Sequence, residues 1–547
     1  MRFLLVFMSL MFPVIAVGQH SHGQMNLETK KVAADVGLGN AHHKVSTKNA
    51  EAQRFFDQGL SYIYGFNHDE AVRSFKHAAE LDPDLAMAFW GIALSRGSNY
   101  NVTADAEQLT EAYANLQKAI SLATKASEAD RAYIEALAKR YARDPDADRQ
   151  KLAADYKGAM GELVKKYPND LDAATLYAES MMNLRPWQLW SLDGKPAEGT
   201  MEIVAVLESV LKRDPRHPGA NHYYIHAVEA SPNPQRGMAS ARRLGLLAPK
   251  AGHLVHMPSH IYIRTGNYAE AAKSNSDAII ADRNYMQKTG AQGIYTMMYY
   301  NHNIHFLASV STMDGRYAVA IKNSRFLKDN VLPFLGEMPM LQGFYVYPMI
   351  TLVRFHKWDE ILKEPQPDGS IKLGLLLNHF ARGMAYAESQ RSADAEKELA
   401  MFHGAVSSVP ADQPWGNNVA SVVLKVAEEL LAGEIALSQG DKKAAIAMLR
   451  QAAASEAAVF YDEPPDWDLP VSEWLGRALL IDGQFPEAEK VYRAELVRHP
   501  RNGRALFGLA ESLRKQGKAA DAGKAELEFN KAWAKADTKL IVADLYR

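Results

Sequence analysis

Cysteine is absent from all 547 residues, which excludes a disulfide framework, a thiolate metal site and a cysteine nucleophile. Any metal must be held by histidine, carboxylate, methionine or backbone oxygen. An excess of either charge is also missing. Lys and Arg number 62 against 64 Asp and Glu, a formal net charge of −2, and no basic stripe points to nucleic acid. No segment beyond the N-terminal one reaches the roughly eighteen uninterrupted apolar residues of a membrane span, so none is expected in the mature chain. A G-x-S-x-G elbow, a phosphate loop and a dinucleotide fingerprint are lacking too. Ser259, alone between His256 and His260, reads as a small helix-packing residue.

The N-terminus has the form of a secretory signal. Arg2 is the charged start, Phe3 to Val17 the apolar stretch, and Ala16 with Gly18 the small-x-small cleavage site before Gln19. Residues 1–18 are expected to be removed, leaving an exported protein, periplasmic or secreted. Residues 19–49, rich in Gly, Lys and polar groups without helical periodicity, read as a flexible leader. What remains exceeds one compact core of about 250–300 residues, a limit that stacked repeats escape because each touches only its neighbours.

What the chain does have is histidine, and it recurs. His222 and His226 are followed 34 residues later by His256 and His260; His253 precedes the second pair, and His302 with His305 forms a third group. Thirty-four residues is the length of a tetratricopeptide (TPR) unit, which wants a large residue at slot 4, small at 8, aromatic at 11, Ala at 20, aromatic at 24, Ala at 27 and Pro at 32. Counted from Ala52, the chain supplies Phe55, Gly59, Tyr62, Ala71, Phe75, Ala78 and Pro83. Counted from Leu469 it supplies Gly476, Leu479, Ala488, Tyr492 and Pro500, then Ala510 and Leu513 in the next unit; Leu376 and Val426 start further matches. The chain therefore resembles the TPR family over most of its length. The implied fold is an all-α, right-handed superhelical solenoid of roughly nine to eleven helix pairs.

Within that frame, residues 50–217 form N-terminal repeats interrupted by a Pro-, Gly- and Trp-bearing insertion at 183–200. Residues 218–335 hold the histidine-rich repeats and 336–460 further ones. Residues 461–547 comprise an acidic, Pro-rich elbow at 461–470 and the last repeats. Shorter breaks fall at 285–296, 364–370 and 410–415. Each loop is read as a connector or as a binding insertion on one face of the array.

The register assigns the histidines a side. With Pro218, Gly252 and Asn301 each at slot 1, His222, His256 and His305 take slot 5, His226 and His260 slot 9, and His253 and His302 slot 2. Glu229 takes slot 12, and Glu179 slot 9 of the preceding unit. These slots share one helical face by i, i+3, i+7 spacing. In the TPR family that face of the first helix lines the concave groove used for ligands. His379 at slot 4 and His499 at slot 31 fall outside it.

Three readings compete: histidines satisfied within the core, a metal-free groove binding a peptide or small acid through His, Asn221, Tyr223 and Arg264, and a transition-metal site. Seven imidazoles on adjacent helices repel when protonated and need partners when neutral, which favours metal. His pairs at i, i+3 and i, i+4 supply two nitrogens from one face, and a neighbouring helix completes the shell. His222, His226, His253, His256, His260, His302 and His305 are the candidate ligands, with Cu, Zn or Fe the candidate ions. Met257, Met297 and Met298 would favour copper only if their sulfurs reach the site. The dipeptide motif around His20 and His22 is a weaker copper candidate. Glu229 is the first candidate general base, for hydrolysis or metal-dependent oxidation, and Glu179 an extra ligand or orienting group. The alternative is a scaffold holding a peptide or protein in its groove. The runs ANHYYIHAVEAS, AGHLVHMPSHIY and YNHNIHFL resemble exported bacterial TPR proteins, which implies fold and compartment but no activity.

Overall fold

In a computed structural model, residues 32–144 and 146–546 are described. The predicted signal segment and His20 and His22 lie outside them. Helix pairs succeed one another from Ala50–Tyr64 and His68–Leu81 to Gly503–Lys515 and Ala519–Ala532, and the fold is an all-α TPR solenoid. The repeat register explains the packing. A Cβ on Gly59 would stand 2.6 Å from the Phe75 ring, and one on Gly476 or Gly508 would stand 2.4 or 2.2 Å from the Tyr492 ring. The slot-24 aromatic thus fills the space that glycine leaves on two flanking first helices. No described helix is long and apolar enough to cross a membrane.

The turn inside a helix pair is also repetitive. Three residues separate the two helices, and the middle one is left-handed: Gly266, Gly315, Gly440, Gly483 and Gly517 in five repeats. Glycine adopts that conformation at no steric cost. In the first repeat the same position is Phe66, at φ +53°, and its ring is used elsewhere in the molecule.

Two hydrophobic cores run along the solenoid, one from Leu38 to Tyr299 and one from Ile263 onward, and the side chains of Tyr262 and Met298 pack against both. The histidines lie at this seam.

Several connections differ from expectation. Of the leader, residues 32–49 are not loose: Leu38 and Val45 are buried, the Lys250 amide donates to the Gly37 carbonyl at 2.9 Å, and the Ser46 amide donates to Asp130 at 2.9 Å. Burial of two apolar anchors and paired backbone groups outweigh a polar, aperiodic composition. The 183–200 insertion is clamped by the Trp190 indole, which donates to the Ala227 carbonyl at 2.8 Å. Residues 410–415 lead into a two-residue antiparallel pairing of Pro414–Trp415 with Asn418–Val419. The elbow folds back toward the central repeats, where Tyr461 reaches Glu229 across 232 residues of sequence.

Candidate metal centre

Three successive first helices carry the histidines. Pro218–Glu229 begins with Pro at its first turn, where a missing N–H is harmless, and with the His217 ring nitrogen accepting from the Ala220 amide. The next first helix is split into Gly252–His256 and Pro258–Arg264, because Pro258 cannot donate to the preceding turn. The kink falls between His256 and His260. The third begins with a π-helical turn, Tyr295–Tyr299, and continues as Tyr300–Met313. Such turns shift side chains out of the α register and recur at functional sites.

Six of the seven histidines converge in two triads. His222, His226 and His253 form one; His256, His260 and His302 form the other; within each, one ligand nitrogen per residue lies within 4.8 Å of the others. The triads are equivalent by repeat. Each combines slots 5 and 9 of one unit with slot 2 of the next. Their shapes agree: ring centroids stand 5.0, 4.9 and 6.3 Å apart in the first and 4.8, 4.8 and 6.0 Å in the second.

Hydrogen bonds at Nδ1 fix four of the rings. His222 meets the Tyr64 carbonyl at 2.7 Å and His256 the Asn275 side-chain oxygen at 2.7 Å. His226 and His260 meet the two oxygens of Glu229 at 2.6 and 2.5 Å. A carbonyl or carboxylate accepts, so each Nδ1 carries the proton and each Nε2 keeps its lone pair. Those lone pairs turn inward. His222 Nε2 is 3.1 Å from His253 Nε2, and His256 Nε2 is 2.8 Å from His260 Nε2. Nitrogens bound to one ion at about 2.0–2.1 Å stand roughly 3.3–3.6 Å apart, so both pairs are already within reach of one ion. A proton on His253 can close the first pair, but His256 and His260, both protonated at Nδ1, can close theirs only if one ring becomes an imidazolium, and His226 Nε2 and His253 Nδ1 stay buried with no partner. Such groups are costly.

Electrostatics follow from this packing. Burial, reinforced by neighbouring imidazoles, holds His222, His253, His256 and His302 well below the usual histidine range. Neutral imidazole is the ligating form. Burial pushes the Glu229 carboxyl up, but His260 and His226 outweigh it and hold it down at about 2. Burial likewise pushes His260 down, and Glu229 more than reverses it.

Glu229 is therefore not placed as a general base. Both its oxygens are taken by histidine N–H groups, and it orients one ligand in each triad. His305 stays apart: its ring stands against Tyr347 and Phe344, with centroids at 4.3 and 5.3 Å, and burial presses it to about 3. The residue one turn on, where the other repeats have their second histidine, is Ser309. Glu179 belongs to another cluster, bonded to Asn183 and facing the Arg140 charge, with burial raising its carboxyl. Met257 is core. Asn221 caps the Pro215 and His217 carbonyls, and Tyr223 is buried core, so neither lines a groove.

The expected open groove is filled by the chain itself over these helices. His222, His226, His253, His256 and His260 are at most 2% exposed. Phe66 stacks on His226 and His253, Tyr100 and Trp187 pack on His226, and Tyr299 packs on His253. Tyr461 lies 3.4 Å from Glu229 and 2.9 Å from Glu463, beneath the Arg264 guanidinium. These residues carry no local signal of their role. Phe66 takes a left-handed turn position that is glycine in five other repeats, but His356 and Gln390 take it in two more.

No protein-family pattern matches the chain, and no curated protein matches it. Similar solved structures include the human IFIT1 dimer with m7Gppp-AAAA, at 13% identity over 89% of this chain and 91% of that one, TM-score 0.32. Yeast Tom70 is 12% identical over 90% and 93%, TM-score 0.29; the P58(IPK) TPR domain is 12% identical over 86% and 99%, TM-score 0.21. At these scores they say nothing about the site.

Proposed function

We propose that the protein is an exported metal-binding TPR protein whose two histidine triads each hold a transition-metal ion. The observation that carries this reading is the set of four Nε2 lone pairs left by acceptors at Nδ1, one of which, on His226, is buried with no partner. Imidazole ligands suit Cu, Zn or Fe. When bound, the ion supplies Lewis acidity or redox change; the chain's residues hold it, fix the ligand tautomers and keep water from the first triad. Elemental analysis of purified protein tests the reading, with two equivalents expected. His256→Ala with His260→Ala should leave one equivalent and nearly unchanged helical circular dichroism; undiminished metal would refute it. Export belongs to the same reading, and an intact mass beginning at Gln19 is expected.

The metal-free scaffold reading has less support at this face, where the groove is taken up by Phe66, Trp187 and Tyr461.

A further inference from the structure

We infer that the two triads are unequal: the first is a closed site, and the second accepts a small anion from solvent at an open coordination position. This rests on the metal reading above and adds to it which ion reacts and with what class of ligand.

The first triad is sealed on every described side. All three histidines are at most 2% exposed. Phe66 covers them as a lid, its centroid 4.5, 6.0 and 5.4 Å from the rings of His222, His226 and His253. Tyr100, Trp187 and Tyr299 complete an aromatic wall. The backbone of Phe66 is left-handed, a cost of order 1–3 kcal/mol; five other repeats place glycine there and two place His356 and Gln390.

The second triad has the same ligand geometry but different walls. Phe306 lies against all three rings on one side. His302, unlike its counterpart His253, is half-buried rather than buried, so the second triad lies nearer the surface than the first. The adjoining wall is polar. It comes from Arg264, stacked on Tyr461, and from Glu463, whose Oε1 lies 2.9 Å from the Tyr461 hydroxyl while Oε2 is buried with no partner.

Charge selects the ligand. Six neutral imidazoles and Glu229, the carboxylate bonded to them, carry one negative charge against two divalent ions, and the adjoining Glu463 is offset by Arg264. A buried uncompensated charge is expensive, so the ion nearer the surface completes its shell with an anion. The close packing of Phe306 and the neighbouring rings leaves room only for a ligand of a few atoms, such as hydroxide or a small carboxylate. Glu463 Oε2 offers an acceptor to a ligand that carries a proton.

Protein loaded with cobalt, with azide as the probe, separates the outcomes. Metal stoichiometry is read first, and failure to bind cobalt would overturn the metal reading itself. With two ions bound, azide should shift the visible absorption of one of them. His253→Ala, which disables the first triad, should keep the shift, and His302→Ala should lose it. Phe66→Gly, which removes the lid and suits the left-handed turn, should make the first ion respond as well. An azide shift that survives His302→Ala and vanishes in His253→Ala, or equal shifts of both ions in the parent, would overturn the inequality and leave metal binding standing.

Discussion

The six histidines of the triads have one carboxylate among them, Glu229, bonded to His226 and His260, whereas His43 and His217 both pair with Asp172, beside Asp170, in a half-buried knot at the start of the solenoid. His43, Asp170 and Asp172 also lie within reach of one ion, yet their polar groups are spoken for. Asp172 accepts from the His43 ring at 3.1 Å, the His217 ring at 3.2 Å and the Tyr64 hydroxyl at 2.5 Å. Asp170 accepts from the Tyr133 hydroxyl at 2.9 Å and the Ala173 amide at 3.0 Å. With acceptors in plenty, histidine becomes a structural donor. Where donors run short, as at the two triads, nitrogen lone pairs are left to meet one another, and a cation is what the proposed reading supplies. Proximity of ligand-type residues is thus no measure of a metal site; the balance of donors and acceptors is.

The largest expected effect comes from breaking the knot. Asp172→Asn should cost about 3–5 kcal/mol, the usual penalty for disrupting a buried ion pair, with metal content per folded molecule unchanged. Its sign with pH follows from the carboxyl. Burial raises it, but His217 and His43 hold it well below the ordinary aspartate range. Its stabilisation is therefore present above the unfolded value of about 3.9 and is lost as pH falls through the folded one. Urea denaturation should show a wide gap between parent and variant at neutral pH that narrows in acid; a gap independent of pH would contradict this.

Glu229→Gln acts on the other region. Because Glu229 orients one histidine in each triad, both ions should weaken by about 10–100-fold, read by competition with a chelator. Weakening at a single site would break the equivalence of the triads.

Tyr64 joins the two regions, with its backbone carbonyl on His222 and its hydroxyl on Asp172. Tyr64→Phe removes only the second contact. A loss of about 1.5 kcal/mol is expected, typical of a hydrogen bond to a charged group, with unchanged metal affinity. Smallest of all, His305→Ala should leave the metal content at the parent level, since among the described residues His305 belongs to neither triad; a lost equivalent would return His305 to the site.

Much of this was legible in sequence. Gly59 with Phe75 and Gly476 with Tyr492 revealed the repeat, because a close helix approach needs a small residue facing a large one at fixed spacing. The same register placed His222, His226, His253, His256, His260 and His302 on one face. It also placed His305 there, but that ring joins neither triad, because a face assignment does not say whether a second nitrogen stands one turn away. Ser309 decided that. Glu229 was found but given the wrong task, since a residue's slot does not show which atoms saturate its oxygens. The loose leader was misjudged for a similar reason: Leu38 and Val45 have no periodicity, and only their burial on the first repeats orders them.

The sequence by itself determined the helix pairs, the absence of thiolate chemistry and the 34-residue recurrence of imidazoles, all properties of local spacing along one chain. The tertiary structure alone decided that the groove closes over the histidines, that Tyr64, Phe66 and Tyr461 arrive from distant repeats, and that one triad is wholly buried while the other includes the half-buried His302. Coiling of the solenoid brings these segments together, and contacts across 158 or 232 residues leave no trace in the spacing of neighbours.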